Sequence, residues 1–148
     1  MSIVKPPRSA GANFRRLFPF LAAVNASEET HLVFESDGFM PLSIEFLEDY
    51  WQSLPVYSMM HYYIQCGDLM RDPDMTFAVD LDHGKIIPLT FQQDGAAWTP
   101  DGTIYQEVFS PDGKTYKPHL LTDLDKFLAQ WSTNIINQKF SPDKIRKD

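Results

Sequence analysis

Hydrophobic and polar positions along this chain switch period twice. Phe14, Leu17, Phe18 and Leu21 recur at spacings of three and four, which predicts a first helix, with Ser9 placed to cap it and Pro19 either kinking it or splitting it in two. Residues 1–9, MSIVKPPRS, precede it with adjacent prolines and no apolar period, and read as a flexible or extended arm. From about residue 30 the period is two. Leu32 and Phe34 alternate with His31, Val33 and Glu35, and an Asp37-Gly38 turn leads to Leu42, Ile44 and Phe46 alternating with Ser43 and Glu45, the pattern of a hairpin. Residues 56–64 form a third strand, with Val56, Ser58, Met60, Tyr62 and Ile64 on one side and Tyr57, Met59, His61 and Tyr63 on the other. Both sides are bulky, which places this strand centrally. Met75, Phe77, Val79 and Leu81 then alternate with polar or small residues up to a turn at Asp82-His83-Gly84, and residues 85–93 return as its hairpin partner. A sixth strand, 103–110, follows a loop at 94–102 and ends at Pro111-Asp112-Gly113. The helical period returns in Leu121, Leu124, Leu128, Trp131 and Ile135, widened by Phe127; with Thr122 and Asp125 resembling a capping box, a helix over about 120–138 is expected across one face of the sheet. Residues 141–148 read as a charged, frayed tail.

These elements make an α+β domain over 10–140: an antiparallel sheet of five to six strands, an N-terminal helical segment and a long C-terminal helix packed on the sheet. A length of 148 residues suits one domain, and 43% hydrophobic with 14% aromatic content excludes disorder of the whole chain. No apolar run approaches the roughly 20 residues of a membrane helix, and the stretch 18–24 lacks the length and flanks of a signal peptide, so a cytoplasmic protein with no membrane partner is expected. With one cysteine, Cys66, the chain can form neither an intrachain disulfide nor a cysteine zinc cage. No basic residue adjoins Cys66 in sequence, so it is expected to be inert or partly buried.

Charge is uneven along the chain. Residues 1–27 carry four bases and no acid, residues 28–112 carry 16 acids against Arg71 and Lys85, and residues 113–148 carry seven bases and four acids. An acidic middle repels phosphate backbones, which argues against duplex nucleic acid on the sheet and favours a basic protein or a cation as partner.

The segment 61–75, HYYIQCGDLMRDPDM, is the least ordinary stretch, because it brings Asp68, Asp72, Asp74, Arg71 and Pro73 into what reads as a connection between hydrophobic strands. The three carboxylates offer oxygen ligands of the kind magnesium or calcium takes, but their order does not match an EF-hand loop and Pro73 stiffens the backbone where ligands would converge. The competing reading is a connection in which Gly67 takes a positive φ, Arg71 pairs with a neighbouring aspartate and Asp72-Pro73 turns the chain. A serine hydrolase using Ser58 and His61 is disfavoured, since alternation sends them to opposite faces and Ser58 lies in a strand. His83 beside Asp80 and Asp82 reads as a solvated turn. Among the aromatic residues, Trp98 in the 94–102 loop is the one expected to be exposed toward a partner. No phosphate loop, dinucleotide fingerprint or His-Glu-x-x-His pair is present, and no cofactor is expected.

The runs HYYIQCGDLMRDPDMTF, LTFQQD, IYQEV and FLAQWSTNIINQ, over roughly residues 30–140, resemble a small family of uncharacterised bacterial proteins, a domain of unknown function often found on mobile elements. The segment from Gly67 to Pro73 is the most specific part of the likeness. With ANFRRLFPFL at the start, the layout is more distantly similar to the YqiB-like family. The resemblance implies a fold and a bacterial setting and transfers no activity. Two functional readings follow from the residues. One is a non-catalytic protein-binding module with an acidic surface, its binding residues drawn from Asp68, Arg71, Asp72, Asp74, His61 and Trp98. The alternative is a small metal-assisted hydrolase built on Asp68, Asp72 and Asp74, or a ligand pocket between sheet and C-terminal helix lined by Tyr62, Phe77 and Trp131.

Overall fold

A computed structural model describes residues 5–96 and 98–147. The first four residues of the expected N-terminal arm and Asp148 of the charged tail lie outside them. The elements run α1 (Ala10–Ala26), β1 (His31–Phe34), β2 (Leu42–Trp51), β3 (Leu54–Gln65), β4 (Asp68–Asp80), β5 (Lys85–Asp94), β6 (Thr103–Glu107) and α2 (Pro118–Asn137). The six strands form one antiparallel sheet in the order β1-β2-β3-β4-β5-β6, so each pairs only with its neighbours in sequence. The architecture is α+β, with β3 and β4 central.

Register explains how one sequence serves two surfaces. Ile44, Met59, Met75 and Phe91 lie abreast across four strands on the side facing the helices, and the first three have no solvent exposure. Leu17, Phe20, Leu21 and Val24 of α1 and Leu121, Leu124, Leu128, Trp131 and Ile135 of α2 complete that core. Phe20 meets Phe34 edge-on at 5.1 Å and Phe127 meets Phe91 at 5.2 Å, which ties both helices to the same side of the sheet.

Several local expectations change. Pro19 neither splits nor ends α1, which runs unbroken from Ala10 to Ala26 with Pro19 on its exposed side, where water can satisfy the carbonyl left unbonded. Ser9 occupies the N-cap position of α1 without a side-chain cap bond, and α2 begins at Pro118 with no capping box. Asp125 instead turns inward. Its Oδ2 accepts from the Ser9 backbone N at 2.9 Å, Asn13 Nδ2 lies 3.4 Å from its carbonyl, and Arg16 donates to Asn13 Oδ1 and Ser132 Oγ at 2.8 and 2.7 Å. This polar ladder joins the two helices. Burial pushes the Asp125 carboxyl up, against the lowering effect of the bonds from Ser9.

The tail is bound as well. Arg146 N donates to Val33 O at 2.7 Å and Glu35 N to Lys144 O at 2.9 Å, so residues 144–146 lie along the outer edge of β1, with Ile145 packed against the core. The Arg146 guanidinium donates to Glu35 at 3.1 Å and to the Tyr62 hydroxyl at 2.9 Å. No helix among the described residues is long and apolar enough to cross a membrane.

Candidate functional site

The segment expected to be a connection is strand. β3 runs to Gln65, a two-residue turn of Cys66 (φ 52) and Gly67 (φ 85) follows, and β4 starts at once with Asp68. Only residues tolerating left-handed backbone suit such a turn, which is why Gly67 stands there; Cys66 is exposed rather than partly buried. Strand geometry then separates the aspartates. Asp68 and Asp74 are six positions apart along β4, roughly 20 Å at about 3.3 Å per residue. Asp72 accepts from Gln93 Nε2 and precedes Pro73 across a cis peptide, while Asp74 lies in register with Gln92. Because Gln92 and Gln93 are consecutive strand residues, Asp72 and Asp74 sit on opposite faces. Among the described residues no group of three His, Cys, Asp or Glu side chains could hold a metal ion.

The other candidates lie in several places, although the structure brings Arg71 within electrostatic reach of Asp74 and Asp72 within reach of His61. Arg71 pairs with a distant aspartate: Asp94 Oδ2 accepts from the Arg71 backbone N at 3.0 Å and from its Nε at 3.2 Å. Burial opposes ionisation of Asp94, but the bonds from Arg71, Gln92 and Thr103 and the Arg71 charge hold its carboxyl below the usual range. His61 faces the helices, buried, with Trp131 and Phe140 rings at 5.5 and 5.6 Å and Nδ1 3.2 Å from Pro41 O. Ser58 points the other way, as alternation required. Trp98 is 78% exposed on a turn held by Thr99 and Gly102, but it lines neither hollow described below. His83 is bonded to Asp80 at 2.9 Å. Phe77 and Trp131 are packed into the core and Tyr62 binds Arg146, so these three do not share a ligand cavity.

What register does assemble lies on the sheet face away from the helices. Two rows cross five strands there: Ser43, Met60, Asp74, Gln92 and Tyr105, and beside it Glu45, Ser58, Thr76, Thr90 and Glu107. Between Phe46 and Tyr50 the β2–β3 register shifts, with Glu48 at φ 56, a bulge that re-aims the end of β2. Leu47, Asp49, Tyr50 and Trp51 thereby wall a hollow of about 350 Å³ whose floor is Asp74, Thr76, Thr90 and Gln92 and whose far side is Tyr105. A second hollow of about 360 Å³ adjoins it, sharing Tyr50, Trp51, Leu89 and Thr90 and adding Glu107, Phe109 and Asp112.

The electrostatics of this groove are one-sided. Asp49, Asp74, Glu107 and Asp112 line the two hollows, and among the described residues no lysine, arginine or histidine does. Asp74 Oδ1 is shut off from solvent and has no hydrogen-bond partner among the described residues. Burial pushes its carboxyl up, Arg71 partly offsets this, and Asp94 and Glu45 add to it. Across the floor, the Thr76 and Thr90 hydroxyls are bonded to each other at 2.6 Å. Burial also raises the Tyr105 phenol, helped by the charges of Glu107 and Asp74. Sequence reading singled out Asp74 but missed the groove. The available signal was the alternation of Thr76 and Thr90 with the apolar core positions Met75, Phe77 and Phe91; their shared register was not in the pattern.

No curated protein and no solved structure matches the chain. A family model matches residues 12–141, the span that takes in the sheet, α2 and nearly all of α1, and on that match the chain belongs to the family described as Domain of unknown function (DUF6908).

Proposed function

We propose that the chain is a non-catalytic binding module whose helix-free sheet face takes a basic protein partner. The observation that carries this reading is the groove itself: two adjoining hollows lined, among the described residues, by four carboxylates and no basic side chain, on the sheet face the helices leave uncovered. Opposed charge gives such a face fast, salt-sensitive association with a cationic surface and repels nucleic-acid phosphate. If the family travels on mobile elements, as the resemblance implies, a surface of this kind competes with phosphate for basic host proteins. The test is calorimetric titration of the full chain with an arginine- and lysine-rich peptide, a glutamate-rich peptide and duplex DNA, at low and moderate salt. The basic peptide alone should bind, its affinity falling severalfold as salt rises, and Glu45→Gln with Glu107→Gln should weaken it by about threefold or more. Absence of basic-peptide binding at low salt overturns the reading.

A further inference from the structure

Resting on that reading, we propose that the hollow over Asp74 receives an arginine side chain of the basic partner, its guanidinium set against the Asp74 carboxylate and flanked by the Tyr50, Trp51 and Tyr105 rings. Three observations meet at this place. The hollow is of side-chain size, and its rim carries Tyr50 and Tyr105, which are 61% and 55% exposed although both are aromatic. Its floor includes the half-buried Asp74 carboxyl, whose Oδ1 is shut off from solvent and has no donor among the described residues, so the group is poorly solvated and its charge is open to compensation by a cation in the hollow. Among the described residues beside it in the hollow, the Thr76 and Thr90 hydroxyls bond each other and Gln92 Nε2 donates to Asp94.

A guanidinium fits these requirements better than an ammonium. It is planar, more weakly hydrated and therefore less costly to bring into a half-enclosed site, it stacks on aromatic faces, and it donates in two directions at once. Asp49, on the wall of the same hollow, adds a second carboxylate to the field that favours a cation there. The charged or titratable groups acting on Asp74 are Arg71 on its own strand, Glu45 on β2, Asp94 on β5 and Tyr105 on β6. Arg71 is held by Asp94 on the same face and leaves the net field negative. Since burial raises the free Asp74 carboxyl, a bound cation draws the proton off it, and affinity increases as pH rises through the value of the free group.

The experiment is titration of the full chain at low salt with two blocked octapeptides of equal charge, (Gly-Arg)4 and (Gly-Lys)4. The arginine peptide should bind about fivefold tighter or more, and Asp74→Asn should lower its affinity by about tenfold and remove the preference over lysine. Asp68→Asn, at the hairpin tip outside the groove, should change it by less than about twofold. Tyr50→Ala, on the exposed rim, gives a second variant that does not touch the floor and should cost about fivefold. Binding of both peptides with equal affinity, or wild-type affinity in Asp74→Asn, overturns this proposal and leaves the acidic-face reading standing. Binding of neither peptide overturns that reading, and the arginine site with it.

Discussion

Set between the Trp131 and Phe140 rings, the His61 imidazole has little water to stabilise a charge. Burial lowers its pKa, against the raising effects of the Pro41 and Met40 backbone and of Asp72. A depressed folded-state value means that this contribution to stability is present above the unfolded pKa of about 6.5 and is lost as pH falls through the lower folded value. Denaturant titrations in steps from pH 7.5 to 5 should therefore show wild type losing stability faster than His61→Gln, and parallel slopes would contradict the account. Alternation alone was enough to separate His61 from Ser58. It could not reveal Gln52, Ser53 or Cys66, whose φ values of 48, 68 and 52 make the tight hairpins, because those side chains carry none of the glycine or asparagine signature of such turns. The stretch after Gln65 read as a connection because Asp68, Arg71, Asp72, Pro73 and Asp74 have the composition of one, although Gly67 already stood where a two-residue turn needs a positive φ.

At the level of elements, the clearest departure from the sequence pattern is the strap at 144–146. Three bases around a lone Ile145 have the composition of a frayed end; what holds them is an edge strand with unpaired backbone groups and an acid, Glu35, at the right height. Removing residues 141–148 deletes the backbone hydrogen bonds to Val33 and Glu35, the Arg146 contacts and the Ile145 packing, and should cost about 1–3 kcal/mol by chemical denaturation. The bared β1 edge should also make light scattering concentration-dependent. Helix α2 teaches the converse lesson. Its apolar stripe was readable in full, but Thr122 and Asp125 were assigned to a cap because spacing cannot tell a residue that turns back on its own helix from one that reaches across to Ser9.

For the whole molecule, strand count, helix placement and a central β3 followed from periodicity. The face on which the acidic segment concentrates its charge did not, because it depends on register between strands, and register is fixed by bulges near Phe46, Met60 and Thr76 that leave no mark in the pattern. Protection should follow the same architecture. In hydrogen-exchange mass spectrometry the amides of β3–β5 are expected to exchange last, and those of β6 and of the exposed tip around Cys66 first; early exchange in the 75–79 segment would contradict a core centred on Met75 and Phe77.

The strap has one more consequence, set by the direction of synthesis. Every strand pairing is between chain neighbours and can close as the chain emerges, but the Glu35–Arg146 contact spans 111 residues. At about 5–20 residues per second, a nascent sheet waits roughly 6–20 s with its first edge bare. During that interval neighbouring nascent chains on one messenger carry the same open edge side by side, a route to co-aggregation that the stability of the finished fold does not govern.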